Sequence, residues 1–388
     1  IIEKDYLISA FDGLGFLYGQ ITYFLGFTPH RHEGKVTGLA AFGDYKKTIK
    51  IFRNIVNFEQ GSIKCKLGYY RPFYTNLSSE LIRDLKKHKK EDVAAGLQKQ
   101  CEEVIVKWIN FWTKKFKGKQ NICLAGGVFG NVKINQIVSE IKSVKNIYVF
   151  PHMADGGIPF GSAALANFKF KNKTKIKFEN MYSGSDFKDE DILKTLKTQK
   201  GIKFQKIKNK NFFVAKKLSE KKVVGVFNGK MEYGPRALGN RSILVNAQDA
   251  NINIWLNKRL NRTEFMPFAP VTPIEYANKC YIGWKKNHVA SKFMTRTYNC
   301  NKNFAKQHPA VVHVDGTARP QIISKKDNSS YYEIVKNYCN ISGYKSLINT
   351  SFNLHEEPIV AHPKEAIVSL KRNAIDILVI GNFVVELN

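Results

Sequence analysis

The chain has 388 residues, 43% of them apolar and 12% aromatic, with a formal charge of +30. That length leaves room for about two to three domains, and the composition excludes collagen-like, coiled-coil and disordered classes. No uncharged apolar run approaches the ~18 residues that cross a bilayer, so no membrane partner is expected. The six cysteines are far apart and form no CxxC pair, which argues against a zinc ribbon or disulfide framework and for a cytoplasmic location. The positive charge is carried by 51 Lys and only 11 Arg, and residues 1–177 and 178–388 each hold +15. Nucleic-acid binders concentrate charge in a stripe and use Arg for forked contacts. An even Lys excess therefore points away from a nucleic-acid partner and towards codon bias, with attraction of acidic substrates as the alternative.

Residues 91–117 repeat apolar side chains at Ala94, Leu97, Cys101, Val104, Ile105, Trp108 and Trp112, the spacing of a core helix with Lys107 and Lys114 outside. A short apolar strand, 122–125, follows and stops at Gly126-Gly127. A helix from Val132 to Ile141 and a strand over 147–150 come next, then Ala154-Asp155-Gly156-Gly157 and a small-residue helix around 162–166. Strand, glycine turn and helix, twice over, is the rhythm of an open α/β sheet, whose ligands sit at the carboxyl ends of the strands. The run 169–177, KFKNKTKIK, reads as the approach to a domain linker. A second α/β pattern follows: helices near 189–200 and 212–219, strands over 223–227 and 242–245, a helix over 363–372 and a strand over 377–380.

Gly126-Gly127-Val128-x-x-Asn131 lies between a strand and a helix, where backbone N–H groups approach a phosphate or ribose; close packing explains most such turns. Asp155, before Gly156 and Gly157, suits a hard or borderline cation or caps the helix that follows. Lys35, in Gly34-Lys35-x-x-Gly38, either brings an ammonium to a phosphate or lies exposed. The segment Asn228–Leu244, NGKMEYGPRALGNRSIL, is too rich in Gly and Pro for a plain helix. A strand–loop–strand arrangement there aims the forks of Arg236 and Arg241 at one polyanion, with a structural salt bridge as the alternative. Asp315-Gly316-Thr317-Ala318-Arg319 and Asn349-Thr350-Ser351-Phe352-Asn353 supply phosphate and ribose partners or turn residues. His30 and His32 point to different helix faces, and His152 is a neighbour of Asp155. No Gly-x-Ser-x-Gly, HExxH or complete Walker loop occurs.

Taken together, these stretches resemble the carbamoyltransferase family that includes nodulation protein U and the antibiotic O-carbamoyltransferases. They are HEGKVTGLAAFG (32–43), LAGGVFGN (124–131), ADGGIPFGSA (154–163), NGKMEYGPRALGNRSIL (228–244), NRTEFMPFAPV (261–271), VDGTARPQ (314–321) and NTSFNLHEEPIV (349–360). The resemblance implies an α/β protein of two parts. Residues 1–177 would be the carboxy-terminal part of a sugar-kinase/actin-like ATPase lobe, similar to the threonylcarbamoyl-transferring proteins. Residues 178–388 would be a YrdC-like α/β domain that makes carbamoyl adenylate from carbamoyl phosphate and ATP and releases pyrophosphate. The first part would then move the carbamoyl group onto a hydroxyl of a small molecule or saccharide beside a divalent metal, Fe2+, with Mg2+ accompanying ATP.

Carried over residue by residue, Lys230, Arg236 and Arg241 would be catalytic in the adenylate-forming site, with Arg319, Ser351 and Asn353 binding the nucleotide. Lys35, Gly126, Gly127, Asn131, Gly156 and Gly157 would line the nucleotide in the transfer site, and Asp155 would be the metal ligand. Two features depart from the family pattern. The family's first phosphate turn and its His-x-x-x-His pair have no counterpart here, so they are expected to precede residue 1. Met266 stands where many relatives carry Arg, for which Arg262 is the expected substitute. A tRNA threonylcarbamoyl-type enzyme and a non-catalytic binding protein are the alternatives; the arginine loop and its place in one chain with the transfer lobe count against both.

Overall fold

The computed structural model describes residues 9–71, 77–171, 180–261 and 266–388. Arg262 and most of the expected linker, 172–177, lie outside these residues. The chain divides into two compact units, Ile1–Ala154 and Asp155–Asn388. The helix expected around 162–166 thus falls in the second unit, whereas the sequence grouped it with the first.

In the first unit, helices α1 (Leu14–Phe24) and α2 (Glu33–Leu39) precede a hairpin of β1 (Val56–Glu59) and β2 (Ser62–Cys65). Gln60 and Gly61, which join the strands, both have positive φ, the geometry that matches strand twist in a two-residue turn. Helix α3 (Lys90–Thr113) forms the unit's spine. Its buried residues, Val93, Ala94, Leu97, Cys101, Val104, Ile105 and Ile109, recur at helical spacing, and Lys107 and Lys114 are exposed as the pattern expects. Gly96 marks its closest crossing, because a Cβ there would stand 2.1 Å from Thr48 Oγ1. Strands β3 (Gln120–Leu124) and β4 (Val144–Val149) pair in parallel around α4 (Val132–Glu140). This is the strand–glycine turn–helix–strand unit expected from sequence, with Gly126 and Gly127 at the carboxyl end of β3.

The second unit begins with the turn Asp155–Gly157 and helix α5 (Ile158–Lys171). It then winds around one mixed sheet of eight strands. In chain order the strands and longer helices that follow are α6 (Asp189–Lys197), β5 (Ile202–Lys206), α7 (Lys210–Ser219), β6 (Val224–Phe227), β7 (Arg241–Val245) and β8 (Ala269–Pro273). There follow β9 (Tyr298–Asn299), β10 (Thr317–Ala318), β11 (Gln321–Ile323), α8 (Ser329–Ser342), β12 (Leu347–Ser351), α9 (Pro363–Lys371), β13 (Ile377–Ile380) and β14 (Phe383–Leu387). The sheet order is β11-β8-β12-β7-β6-β13-β14-β5, and β9 and β10 form a separate pair. The neighbours β11–β8 and β6–β13 are parallel, and the others are antiparallel.

Alternation along the central strands explains why the sheet is sealed on both faces. Val224, Val226, Ile377 and Val379 pack with Val214 and Leu218 of α7 and with Tyr331, Ile334 and Val335 of α8. Their neighbours Phe227, Leu378 and Ile380 pack with Ile192 and Leu196 of α6 and with Ile367 and Leu370 of α9. Gly225 lies on the second face, where a Cβ would come within 2.7 Å of both Ile375 and Phe352. With its faces covered, the central sheet leaves its strand ends and their loops for chemistry.

One buried group ties the stability of this unit to pH. The His308 ring has no exposure. It stacks on Phe304 with centroids 4.5 Å apart, and its Nε2 accepts a hydrogen bond from the Lys345 N–H at 3.2 Å. Burial lowers its pKa to about 4; His288 falls to about 4 as well, through burial first and then the Arg296 charge. In the unfolded chain both rings bind protons more readily, so folding stability is lost as pH falls from about 6.5 to about 4. Thermal melts across that window should show this decline, and His308→Phe should flatten it while lowering stability at neutral pH. An unchanged pH slope in the variant would refute the assignment.

Candidate anion site

The loop between β6 and β7 is folded around two buried ions that act on opposite halves of its backbone. Glu232 is 5% exposed. Its Oε1 accepts from the N–H groups of Leu238 at 2.7 Å, Asn240 at 2.8 Å and Arg241 at 3.2 Å. Arg241 has no exposure. Its Nη1 donates to the carbonyls of Asn228, Gly229 and Asn240 at 3.0–3.1 Å, and its Nη2 donates to that of Ser185 at 3.1 Å. The guanidinium also lies 3.6 Å over the Phe227 ring. A carboxylate gathers the amides and a guanidinium gathers the carbonyls, so the loop holds its shape without helix or sheet.

Side chains from the sheet and a flanking segment fix the outside of the loop. The Leu238 carbonyl accepts from Tyr182 Oη at 2.9 Å and from Gln321 Nε2 at 3.0 Å. Asn349 Nδ2 donates to the Ala237 carbonyl at 3.0 Å and to Gln321 Oε1 at 2.7 Å. Residues 181–185 run beside the loop through Gly184 N to Met231 O, Met231 N to Ser185 O and Tyr233 N to Met181 O, at 2.7–2.9 Å. Gly239, at φ +118°, has the Tyr331 ring where a Cβ would be, 2.1 Å away; only glycine fits.

Arg236 sits within this frame and takes no part in holding it. Its Nε is buried with no hydrogen-bond partner among the described residues, and desolvation lowers its pKa to about 10. Arg319, two residues before Gln321, is held well below the usual guanidinium range by burial and then by the nearby Arg236 charge. Both side chains are partly shielded from water, and the two like charges stand near each other with no carboxylate among the described residues opposing either. An arrangement of this kind is costly unless an anion completes it, and forked donors suit phosphate or carboxylate oxygens.

The other residues expected from sequence divide into exposed, open and committed. Lys230 is exposed on the loop's approach. Ser351, opposite Ser242 at the end of β12, donates to Asn353 Oδ1 at 2.6 Å, and Asn353 donates to the Glu357 carbonyl at 2.7 Å. Arg241 calls for a correction: it was expected beside Arg236 as a second phosphate fork, but its Nη1 and Nη2 are turned onto backbone carbonyls, and its Nε is buried without a partner among the described residues. In the first unit nothing lies within 4 Å of where Cβ atoms on Gly126 and Gly127 would be, leaving the turn open. Asn131 is committed to structure: its Oδ1 caps α4 through the Ile134 N–H at 3.1 Å, and its Nδ2 donates to Gln98 and Thr37 at 2.7 and 3.2 Å. Lys35 is buried on α2.

Asp155 is exposed in its turn, and the Gly156 carbonyl accepts from the Tyr233 hydroxyl, with Gly157 closing the turn before α5. Among the described residues no group of three or more His, Cys, Asp or Glu side chains converges. The described residues offer Asp155 as a lone carboxylate, and no step is assigned to a metal.

Models of the carbamoyltransferase N-terminus and C-terminus match residues 2–164 and 215–387. The chain is 34% identical over its whole length to the uncharacterized protein MJ1058 of Methanocaldococcus jannaschii, and 33% identical to MJ1051 of the same organism. It covers 64% and 74% of those two proteins. The chain belongs to the carbamoyltransferase family. It is also 28% identical to the nodulation protein NolNO of Sinorhizobium fredii, over 97% of this chain and 56% of that one. The chain therefore spans only part of the length of these family members. Among carbamoyltransferase motifs, the C-terminal match contains the whole arginine loop, Arg319 and the 349–353 turn, and the N-terminal match contains both glycine turns.

Sequence reading missed Glu232, Tyr182, Gln321 and Asn349 as the loop's supports. Glu232 carried a usable signal, as the sole acid in a segment of cations, glycines and proline. The two arginines should separate in their effect on stability. Arg241→Leu should cost about 3 kcal/mol or more, since it strands several buried carbonyls. Arg236→Leu should leave the melting temperature unchanged or raise it, because it removes an uncompensated buried charge. Chemical denaturation of both variants checks this, and equal losses would contradict it.

Proposed function

We propose that this chain is part of an ATP-dependent O-carbamoyltransferase. In this reading residues 178–388 are its YrdC-like half and form carbamoyl adenylate, and residues 1–177 belong to the sugar-kinase/actin-like half that transfers the carbamoyl group to a hydroxyl of a small molecule or saccharide. The observation that carries the reading is the Arg236–Arg319 pair: two partly shielded guanidinia without a carboxylate partner among the described residues, one on the β6–β7 loop tied into the sheet and the other just before β11. Membership of the carbamoyltransferase family supports the choice of chemistry.

Carbamoyl phosphate and ATP together bring more negative charge than a neutral pocket tolerates, and fixed cations in a water-poor site stabilise it most where charge builds up during reaction. Water takes the phosphoryl group of carbamoyl phosphate as inorganic phosphate. The carbamate oxygen then bonds to the α-phosphorus of ATP, and the bond to the β-phosphate breaks to release pyrophosphate. Arg236 and Arg319 are assigned to the phosphate oxygens, with Lys230, exposed and free to move, as a third cation at the mouth of the site. Arg241 is assigned a positioning role. Ser351 and Asn353, at the end of a neighbouring strand, are assigned to the ribose or phosphate. In the first unit the open Gly126-Gly127 turn is assigned to the nucleotide of the transfer step.

The protein incubated with carbamoyl phosphate and ATP should release pyrophosphate only when both are present. Arg236→Ala and Arg319→Ala should each slow that release roughly ten- to a hundredfold, the effect of losing a charge-assisted hydrogen bond made in the transition state. Lysine at either position should recover part of the rate, because an ammonium does not reproduce the fork. Pyrophosphate release independent of carbamoyl phosphate, or wild-type rates in both alanine variants, would refute the reading.

A further inference from the structure

The anion site is built from side chains rather than from backbone. In glycine-rich phosphate loops the backbone N–H groups turn outward and cradle the ligand. Here the N–H groups of Leu238, Asn240 and Arg241 turn inward onto one oxygen of Glu232, and that of Gly239 donates to Ser242 Oγ at 3.0 Å. Four consecutive amides that follow Ala237 are therefore closed to any ligand. Recognition is left to Arg236, just before this stretch, whose direction depends on how tightly the stretch is folded. Glu232 is the group that folds it. The other Glu232 oxygen, Oε2, is buried without a partner among the described residues, so the carboxylate is held by these amides and not by a salt bridge that the guanidinia would have to share.

We propose that Glu232 is a positioning residue for the Arg236–Arg319 anion site, acting through Arg236 by drawing the Leu238, Asn240 and Arg241 amides onto a single carboxylate oxygen. The proposal rests on the anion-site reading above and adds to it a residue that touches no substrate. It also explains an acid at the centre of a site that collects anions. An unshielded carboxylate there would repel phosphate, whereas three N–H groups on one oxygen and the neighbouring Arg241 charge offset part of its negative field. Glutamine keeps the shape and one acceptor oxygen but loses the charge that makes the three bonds strong. It also places an NH2 group where a carboxylate oxygen stood. Aspartate keeps the charge and withdraws it by one methylene. Both changes should relax the 237–241 stretch and let the Arg236 fork swing from its bound direction.

The test measures binding of inorganic pyrophosphate to the whole protein by calorimetry, with Glu232→Gln, Glu232→Asp, Arg236→Ala and the Glu232→Gln/Arg236→Ala double variant. Circular dichroism and melting curves confirm which variants fold. Wild-type protein should bind pyrophosphate. Each Glu232 variant that folds should bind it roughly tenfold or more weakly. In the Arg236→Ala background, Glu232→Gln should cause no further loss, the non-additivity expected of two residues acting as one. A loss that adds fully to that of Arg236→Ala, or folded Glu232 variants with wild-type affinity, overturns the positioning role while leaving the anion site standing. If wild-type protein binds no pyrophosphate, the anion-site reading fails and the proposal fails with it. If neither Glu232 variant folds, the residue serves stability alone and the proposal is overturned.

Discussion

Glu232 and Arg241 divide the backbone of one loop between them, and the candidate chemistry of the second unit depends on that division. A segment with three glycines and a proline between strand ends has little intrinsic reason to hold one shape. The carboxylate satisfies its inward N–H groups and the guanidinium satisfies its carbonyls, so the loop is ordered by side chains doing the work that a ladder of strand bonds does elsewhere. Tyr182, Gln321 and Asn349 then clamp it to the sheet. The sheet is rigid because helices cover both faces, and rigidity at the strand ends is passed to the loop through these three clamps. Removal of water from Arg236 and Arg319 follows from the same enclosure.

Much of the architecture was legible in sequence where periodicity was strong. The α3 stripe, the β3–α4–β4 unit, the β6 and β7 strands and the α9–β13 ending lie where spacing placed them. The elements that went unseen have weak or mixed patterns. Strand β5 alternates only one buried residue against exposed lysines, and α8 mixes seven polar residues with its aromatic face. Strand β8 contains two prolines, which count against a central strand; it nevertheless lies between β11 and β12.

The site was legible in part, for a different reason. Arginines stand out by residue type, and both Arg236 and Arg319 emerge in the structure as partly shielded cations without carboxylate partners among the described residues. Residue type does not reveal which way a guanidinium points. Arg241 follows the loop into β7, so alternation along the strand directs its side chain inward, where carbonyls of the loop surround it. Asn131 is a similar case: an amide at a helix start serves as a cap as readily as a ligand contact, and here the cap and its bonds to Gln98 and Thr37 occupy it.

The separation of scaffold from chemistry within this loop has an evolutionary corollary. Glu232, Gly239, Asn240, Arg241 and Ser242 shape the segment, while the groups proposed to meet the anion are two arginines far apart in the chain. A descendant that lost Arg236 and Arg319 would keep the fold and most of the family signature, and would lack only the positive charge at the strand ends. Such a chain would be a ready starting point for a protein that binds neutral molecules or regulates an active copy. Within the family, divergence of function can therefore proceed by substitution at two positions, without passing through an unfolded intermediate.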